Sequence, residues 1–129
     1  MNFWHKIIDT FSLVRQLNSF RNAFRGLAYV FYKEHNMHIH VLSAVLVVVL
    51  GYYLVLSYLE WCALVLAIGL VMVTETLNTA IELLTDLVQP NFNPIAGKIK
   101  DIAAGAVTLA AITALIIGGI IFLPKLYLL

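Results

Sequence analysis

The sequence predicts an all-α integral membrane protein, with an N-terminal amphipathic surface helix plus three transmembrane helices. Three observations lead there. Of 129 residues, 62% are hydrophobic and 12% charged, where soluble domains average about 45–50% and about 25%. The apolar residues gather into three long runs, at 39–59, 61–73 and 102–123. Ahead of these runs, residues 3–33 mix apolar and basic side chains at helical spacing. Inside a bilayer every backbone polar group must be paired within the protein, so three apolar runs of this kind are read as helices.

In the N-terminal segment Phe3, Ile7, Phe11, Val14, Leu17, Phe20, Phe24 and Leu27 recur every three or four positions. Lys6, Arg15, Arg21, Arg25 and Lys33 occupy the sides between them. That is the pattern of one amphipathic helix, or of two broken at Asn18-Ser19, lying on a membrane surface. A soluble coiled-coil face is the competing reading. The first run, IHVLSAVLVVVLGYYLVLSYL, spans a bilayer unaided, because a helix needs about 20 residues to do so. The second, WCALVLAIGLVMV, spans only if it continues to about Val88 through VTETLNTAIELLTDLV. The third, IAAGAVTLAAITALIIGGIIFL, carries no charge at all.

These considerations predict surface helices at about 3–33 and spans at about 36–58, 60–88 and 98–123, in a single domain of residues 1–129. Ser57–Glu60 is expected to form a tight hairpin link. QPNFNPIAG, residues 89–97, combines prolines, asparagines and glycine into a helix stop. No cleavable leader is expected, since the first 35 residues lack an uninterrupted apolar core. Lys and Arg precede the first span and follow the second at Lys98 and Lys100, with none in the first hairpin link. By the positive-inside rule the N-terminus and the 89–101 loop are expected in the cytoplasm. A net charge of +1 argues against a nucleic-acid partner. Cys62, the lone cysteine, sits in an apolar run with no metal-ligand spacing.

The second span poses the chemical question, because it carries Glu75, Asn78, Glu82 and Asp86. At about 100° per residue, these lie at roughly 0°, −60°, −20° and +20° on a helical wheel, a stripe about 80° wide, with Thr79 on its edge. Glu34 at the start of the first span and Lys98, Lys100 and Asp101 at the start of the third gather at the same end of the bundle. A charged residue at the bilayer centre costs at least about 2.5–3.5 kcal/mol, so Glu75, the deepest of them, calls for a use. A pair of carboxylates can hold Mg²⁺ beside substrate phosphates, and a deeper one can serve as a general base. Together with basic residues, that set suits phosphoryl transfer at a membrane surface. Other readings stand beside it. Asp86 could simply reach water, Asn78 could join helices, and Lys98 and Lys100 could be interfacial anchors. The histidines His35, His38 and His40 do not make a metal site by spacing.

The motif ETLNTAIE, residues 75–82, resembles the E-x-x-N-[ST]-A-I-E signature of the small bacterial membrane kinase family that includes prokaryotic diacylglycerol kinase and undecaprenol kinase. FRGL at 24–27, Glu34 before the first span and GKIKD at 97–101 support the resemblance, which covers about residues 15–123. It implies an ATP-dependent lipid kinase of the bacterial inner or plasma membrane, multi-pass, with N-terminus and active site cytoplasmic. The γ-phosphate of ATP would pass to a lipid alcohol, either diacylglycerol or undecaprenol, with Mg²⁺ as cofactor and a homotrimer as the assembly.

By the same resemblance Glu75 is the catalytic base, supported by Asn78, and both contact the lipid substrate. Glu34 and Glu82 bind the metal. The nucleotide is held by Arg15, Glu34, Glu82, Asp86, Lys100 and Asp101. His35 and His38 stand where many relatives carry a basic residue, and Phe24 and Phe31 replace tryptophan, departures that bear on lipid preference. Two other classes compete. A small oligomeric membrane channel or transporter would line an ion path with the acidic stripe, and a membrane adaptor would pair that stripe with a partner's basic helix.

Overall fold

The computed structural model describes residues 13–127. All of its regular structure is helical: α1 (Leu13–Lys33), α2 (His35–Tyr53), α3 (Tyr58–Val88) and α4 (Pro94–Leu126). The chain divides into two compact units, residues 1–33 and 34–129.

In the first unit α1 is a continuous helix. The break expected at Asn18-Ser19 is absent, because the Ser19 hydroxyl donates to the Arg15 carbonyl at 3.0 Å and stays within the helical ladder. Leu13, Leu17, Phe20, Phe24 and Leu27 are all exposed at the i, i+4, i+7 spacing of a single apolar stripe. The part of the predicted surface segment before Leu13 lies outside the described residues.

The second unit holds the three helices long and apolar enough to cross a membrane. At 1.5 Å per residue they measure about 28, 46 and 50 Å, against a hydrocarbon thickness of about 30 Å. α2 is therefore just long enough to span, whereas α3 and α4 extend beyond the hydrocarbon. The most extensive packing is between α3 and α4, and α2 lies against α3. Each helix turns one face inward at 3.6-residue spacing. On α2 that face is Met37, His40, Val41, Ala44, Val47, Val48 and Gly51, and on α4 it includes Ala103, Val107, Ala110, Ala114, Ile121 and Phe122.

At one end of the bundle Leu56, Leu64, Ile121 and Phe122 form the apolar core. The α2–α3 link occupies Leu54–Ser57 rather than Ser57–Glu60. The reason is a capping box that begins α3 at Tyr58, in which Glu60 accepts from the Ser57 backbone N–H at 2.6 Å while Ser57 Oγ accepts from the Glu60 N–H at 3.4 Å. α2 closes with Leu56 N–H donating to Gly51 O and Val55 N–H to Tyr52 O, which places Val55 at φ 50°. Gly51 is needed here for close approach, since a Cβ at this position would lie 3.0 Å from Trp61 Cη2. Lys125 of α4 bonds Glu60 at 3.2 Å and ties the third helix to the same end. At the opposite end Gln89-Pro90 ends α3, and Asn93 Oδ1 caps α4 by accepting from Ile95 N–H at 2.8 Å, with Pro94 in the first turn.

Candidate active site

The inward face of α3 contains Leu64, Ala67, Val71, Glu75, Asn78, Thr79 and Thr85. The polar stripe is therefore the continuation of the apolar packing face, turned toward α2 and α4 rather than toward lipid. At 1.5 Å per residue, Glu82 lies about 10 Å beyond Glu75 along the axis of α3. This spacing grades the carboxylates by depth along one helix.

Glu75 is only 1% exposed, and neither carboxylate oxygen has a hydrogen-bond partner. Asn78 is also buried, with Oδ1 unpartnered, while its Nδ2 donates to Glu82 Oε1 at 3.0 Å. The threonines of the same helix behave differently. Thr74, Thr76, Thr79 and Thr85 each donate to a carbonyl one turn back, at 2.7–3.1 Å. Such back-bonding is how hydroxyls satisfy themselves in apolar surroundings. A buried acceptor left open costs about 1–3 kcal/mol, and a charged one more. Three such acceptors, on two residues one turn apart, are left open here.

The space for them is a cavity of about 320 Å³. Glu75, Asn78, His40, Asn36, Val107 and Thr108 are among its walls, so all three helices of the unit contribute. His40 Nε2 lies 4.0 Å from Glu75 Oε2. A second cavity of about 270 Å³ begins at His40 and Ala111, which it shares with the first, and is lined mostly by small and apolar groups such as Ala44, Ala67, Ala114 and Gly118. The cavity that holds the Glu75 and Asn78 acceptors thus adjoins one lined mostly by apolar groups.

The remaining predicted residues fall in several places. Glu34 is the residue preceding α2, extended in backbone and making no capping bond with its side chain. Asp86 and Lys100 are brought together across α3 and α4 in an ion pair, and Asp101 is exposed beside it. Arg15 belongs to the other unit, where it is exposed on α1.

The arrangement joins a signature motif on a membrane helix to a buried, open carboxylate. A family model described as prokaryotic diacylglycerol kinase matches residues 21–122. The chain belongs to that family. Membership makes this prokaryotic diacylglycerol kinase homologue a membrane lipid kinase with ATP as co-substrate. Undecaprenol kinase of Bacillus subtilis is 42% identical over 114 residues, covering 88% of this chain and 93% of the relative. Diacylglycerol kinase of Synechocystis is 43% identical over 111 residues, covering 85% of this chain and 63% of the relative. Diacylglycerol kinase of Escherichia coli K12 is 27% identical over 108 residues, covering 84% and 88%.

Among the kinase's described residues no group of three or more His, Cys, Asp or Glu side chains gathers to hold a metal. Glu34 stands immediately before α2, and Glu82 on α3 accepts from Asn78 Nδ2. Hard oxygen donors, one or two from the protein and the rest from phosphates and water, are what Mg²⁺ takes. Glu34 and Glu82 are oxygen donors of that kind. His40 is the residue that sequence spacing left without a role. The available signal was its position three residues after buried Met37 and four before Ala44, which puts it on the inward face of α2.

Proposed function

We propose that this kinase transfers the γ-phosphate of ATP to the hydroxyl of a membrane lipid alcohol, diacylglycerol or undecaprenol, with Glu75 as the base. The observation that carries the reading is the Glu75 carboxylate, buried with both oxygens open on a cavity that adjoins an apolar chamber. A lipid hydroxyl entering that cavity donates to Glu75 and becomes nucleophilic as its proton departs. Asn78 Oδ1, the neighbouring open acceptor, helps to orient it. The lipid oxygen forms a bond to the γ-phosphorus as the bridging bond to ADP breaks, and the proton passes to the carboxylate.

Glu34 and Glu82 are the residues that would hold Mg²⁺, which when bound draws charge from the phosphate oxygens. Lys100, released from Asp86, meets a phosphate. Asp86 and Asp101 complete the nucleotide site. Residues 1–129 act as one kinase unit, and the assembly is a homotrimer. The placement is the bacterial inner or plasma membrane, with the N-terminus and site in the cytoplasm, supported by the basic residues flanking the first and second spans.

The test is phosphate transfer from γ-labelled ATP by purified protein, with diacylglycerol and undecaprenol offered in parallel. A labelled lipid with either, abolished by Glu75→Gln, is the expected result. ATP consumption without labelled lipid would refute the reading. Cross-linking that stops at three chains checks the assembly.

A further inference from the structure

A base that takes a proton in every turnover must also release it. Glu75 is 1% exposed and accepts no hydrogen bond from the chain, so the groups that line its cavity are the ones placed to take that proton. The polar groups beside it on the cavity wall are few. Asn36 and Asn78 carry amides, which do not take up protons near neutral pH. Thr108 donates its hydroxyl to the Ala104 carbonyl at 3.1 Å. Glu34 and Glu82 do not line this cavity, and the proposed function assigns them to the metal. His40 is different. Its Nε2 is 4.0 Å from Glu75 Oε2, its side chain is 20% exposed, and it forms part of both cavities. Imidazole is the side chain that accepts and releases protons in the neutral range.

We propose that His40 is the positioning residue for Glu75, steadying the carboxylate from α2 and relaying its proton to solvent. The inference rests on Glu75 being the base. A side-chain shift of about 1 Å closes the gap to hydrogen-bond length. With Oε2 held toward His40, Oε1 is presented to the lipid hydroxyl. The lipid O–H bond breaks as its oxygen bonds to the γ-phosphorus, ADP leaves with the electron pair of the broken P–O bond, and Glu75 gains the proton. That proton then moves from Oε2 to His40 Nε2, and the resulting imidazolium gives a proton to water. Both side chains return to their starting states, with no oxidant or reductant consumed.

Because His40 lines both cavities, it also stands where a hydroxyl arriving through the apolar cavity passes on its way to Glu75. Shape alone would let any side chain of similar size serve as a wall there. A relay requires the ring.

The experiment compares His40→Ala and His40→Gln with the full-length wild type in detergent or vesicles, using labelled ATP and whichever lipid alcohol the wild type phosphorylates. The expected result is a fall in kcat of about 100-fold in both variants, with KM for ATP and for lipid within about twofold. Added imidazole should restore turnover in His40→Ala, where the ring's space is empty, and not in His40→Gln. A wild-type kcat in either variant overturns the proposal, and so does a loss in His40→Ala that imidazole leaves unchanged. Should His40→Ala fail to fold, His40→Gln carries the test through the solvent deuterium isotope effect on kcat. That effect should exceed the wild-type value, and an unchanged one overturns the relay. Glu75→Gln separates the two readings: full turnover there removes the base and the relay together. A dead Glu75→Gln beside fully active His40 variants removes the relay alone.

Discussion

Asn78 donates through Nδ2 to Glu82 Oε1 at 3.0 Å, across one turn of α3. The bond fixes one oxygen of Glu82 and leaves its second free, so the carboxylate has a set orientation before any nucleotide arrives. Partners that orient a metal ligand are worth about 10- to 100-fold in metal affinity or activity. Asn78→Leu should therefore raise the Mg²⁺ concentration for half-maximal turnover by about tenfold. A Mg²⁺ titration at saturating ATP reads this directly, and an unmoved midpoint would show that Glu82 needs no such support.

Glu75→Gln should separate activity from stability. Turnover should fall by at least about 100-fold, the lower range for loss of a general base. Thermal stability should hold or rise, because the buried carboxylate accepts no hydrogen bond and an amide is cheaper to bury than a charge. Active sites commonly store destabilisation of this kind. Parallel assays of turnover and thermal midpoint in one detergent check both halves. A lower midpoint would mean that Glu75 stabilises the fold.

Much of this site was legible before any coordinates. A helix fixes side-chain direction by counting, so Glu75, Asn78 and Glu82 had to share a face, and the cost of burying Glu75 marked it as functional. Residues whose position depends on another helix were harder to read. His40 reaches Glu75 only through the packing of α2 on α3, which no local spacing encodes. The Asp86–Lys100 pair depends in the same way on how α4 returns along α3. The α2–α3 link escaped for a different reason: Leu54, Val55 and Leu56 are apolar, and neither glycine nor proline announces the turn.

Lys100 and Asp86 form an exposed pair, with Asp86 62% exposed. Pairs of this kind contribute about 0–1 kcal/mol, so Asp86→Ala should leave the thermal midpoint nearly unchanged. Lys100→Ala should act on the nucleotide, raising KM for ATP by about tenfold, in line with loss of a charge-assisted bond to phosphate. Initial rates over an ATP series distinguish the two variants. An ATP KM in Lys100→Ala equal to that of wild type would leave Lys100 as a surface residue and remove it from the nucleotide site.

Val55 offers a stability gain far from the chemistry. It closes α2 at φ 50°, the left-handed conformation that costs an L-residue about 1–2 kcal/mol and that glycine adopts freely at this position of a helix end. Its side chain is 81% exposed, so trimming it forfeits little packing. Glycine restores some freedom to the unfolded chain, at about 0.5–1 kcal/mol. The balance favours Val55→Gly by up to about 1 kcal/mol, seen as a higher thermal midpoint in detergent with kcat unchanged. Because this turn lies at the end of the bundle away from Glu75, a change in lipid phosphorylation without a change in midpoint would show that the hairpin acts on the site rather than on the fold.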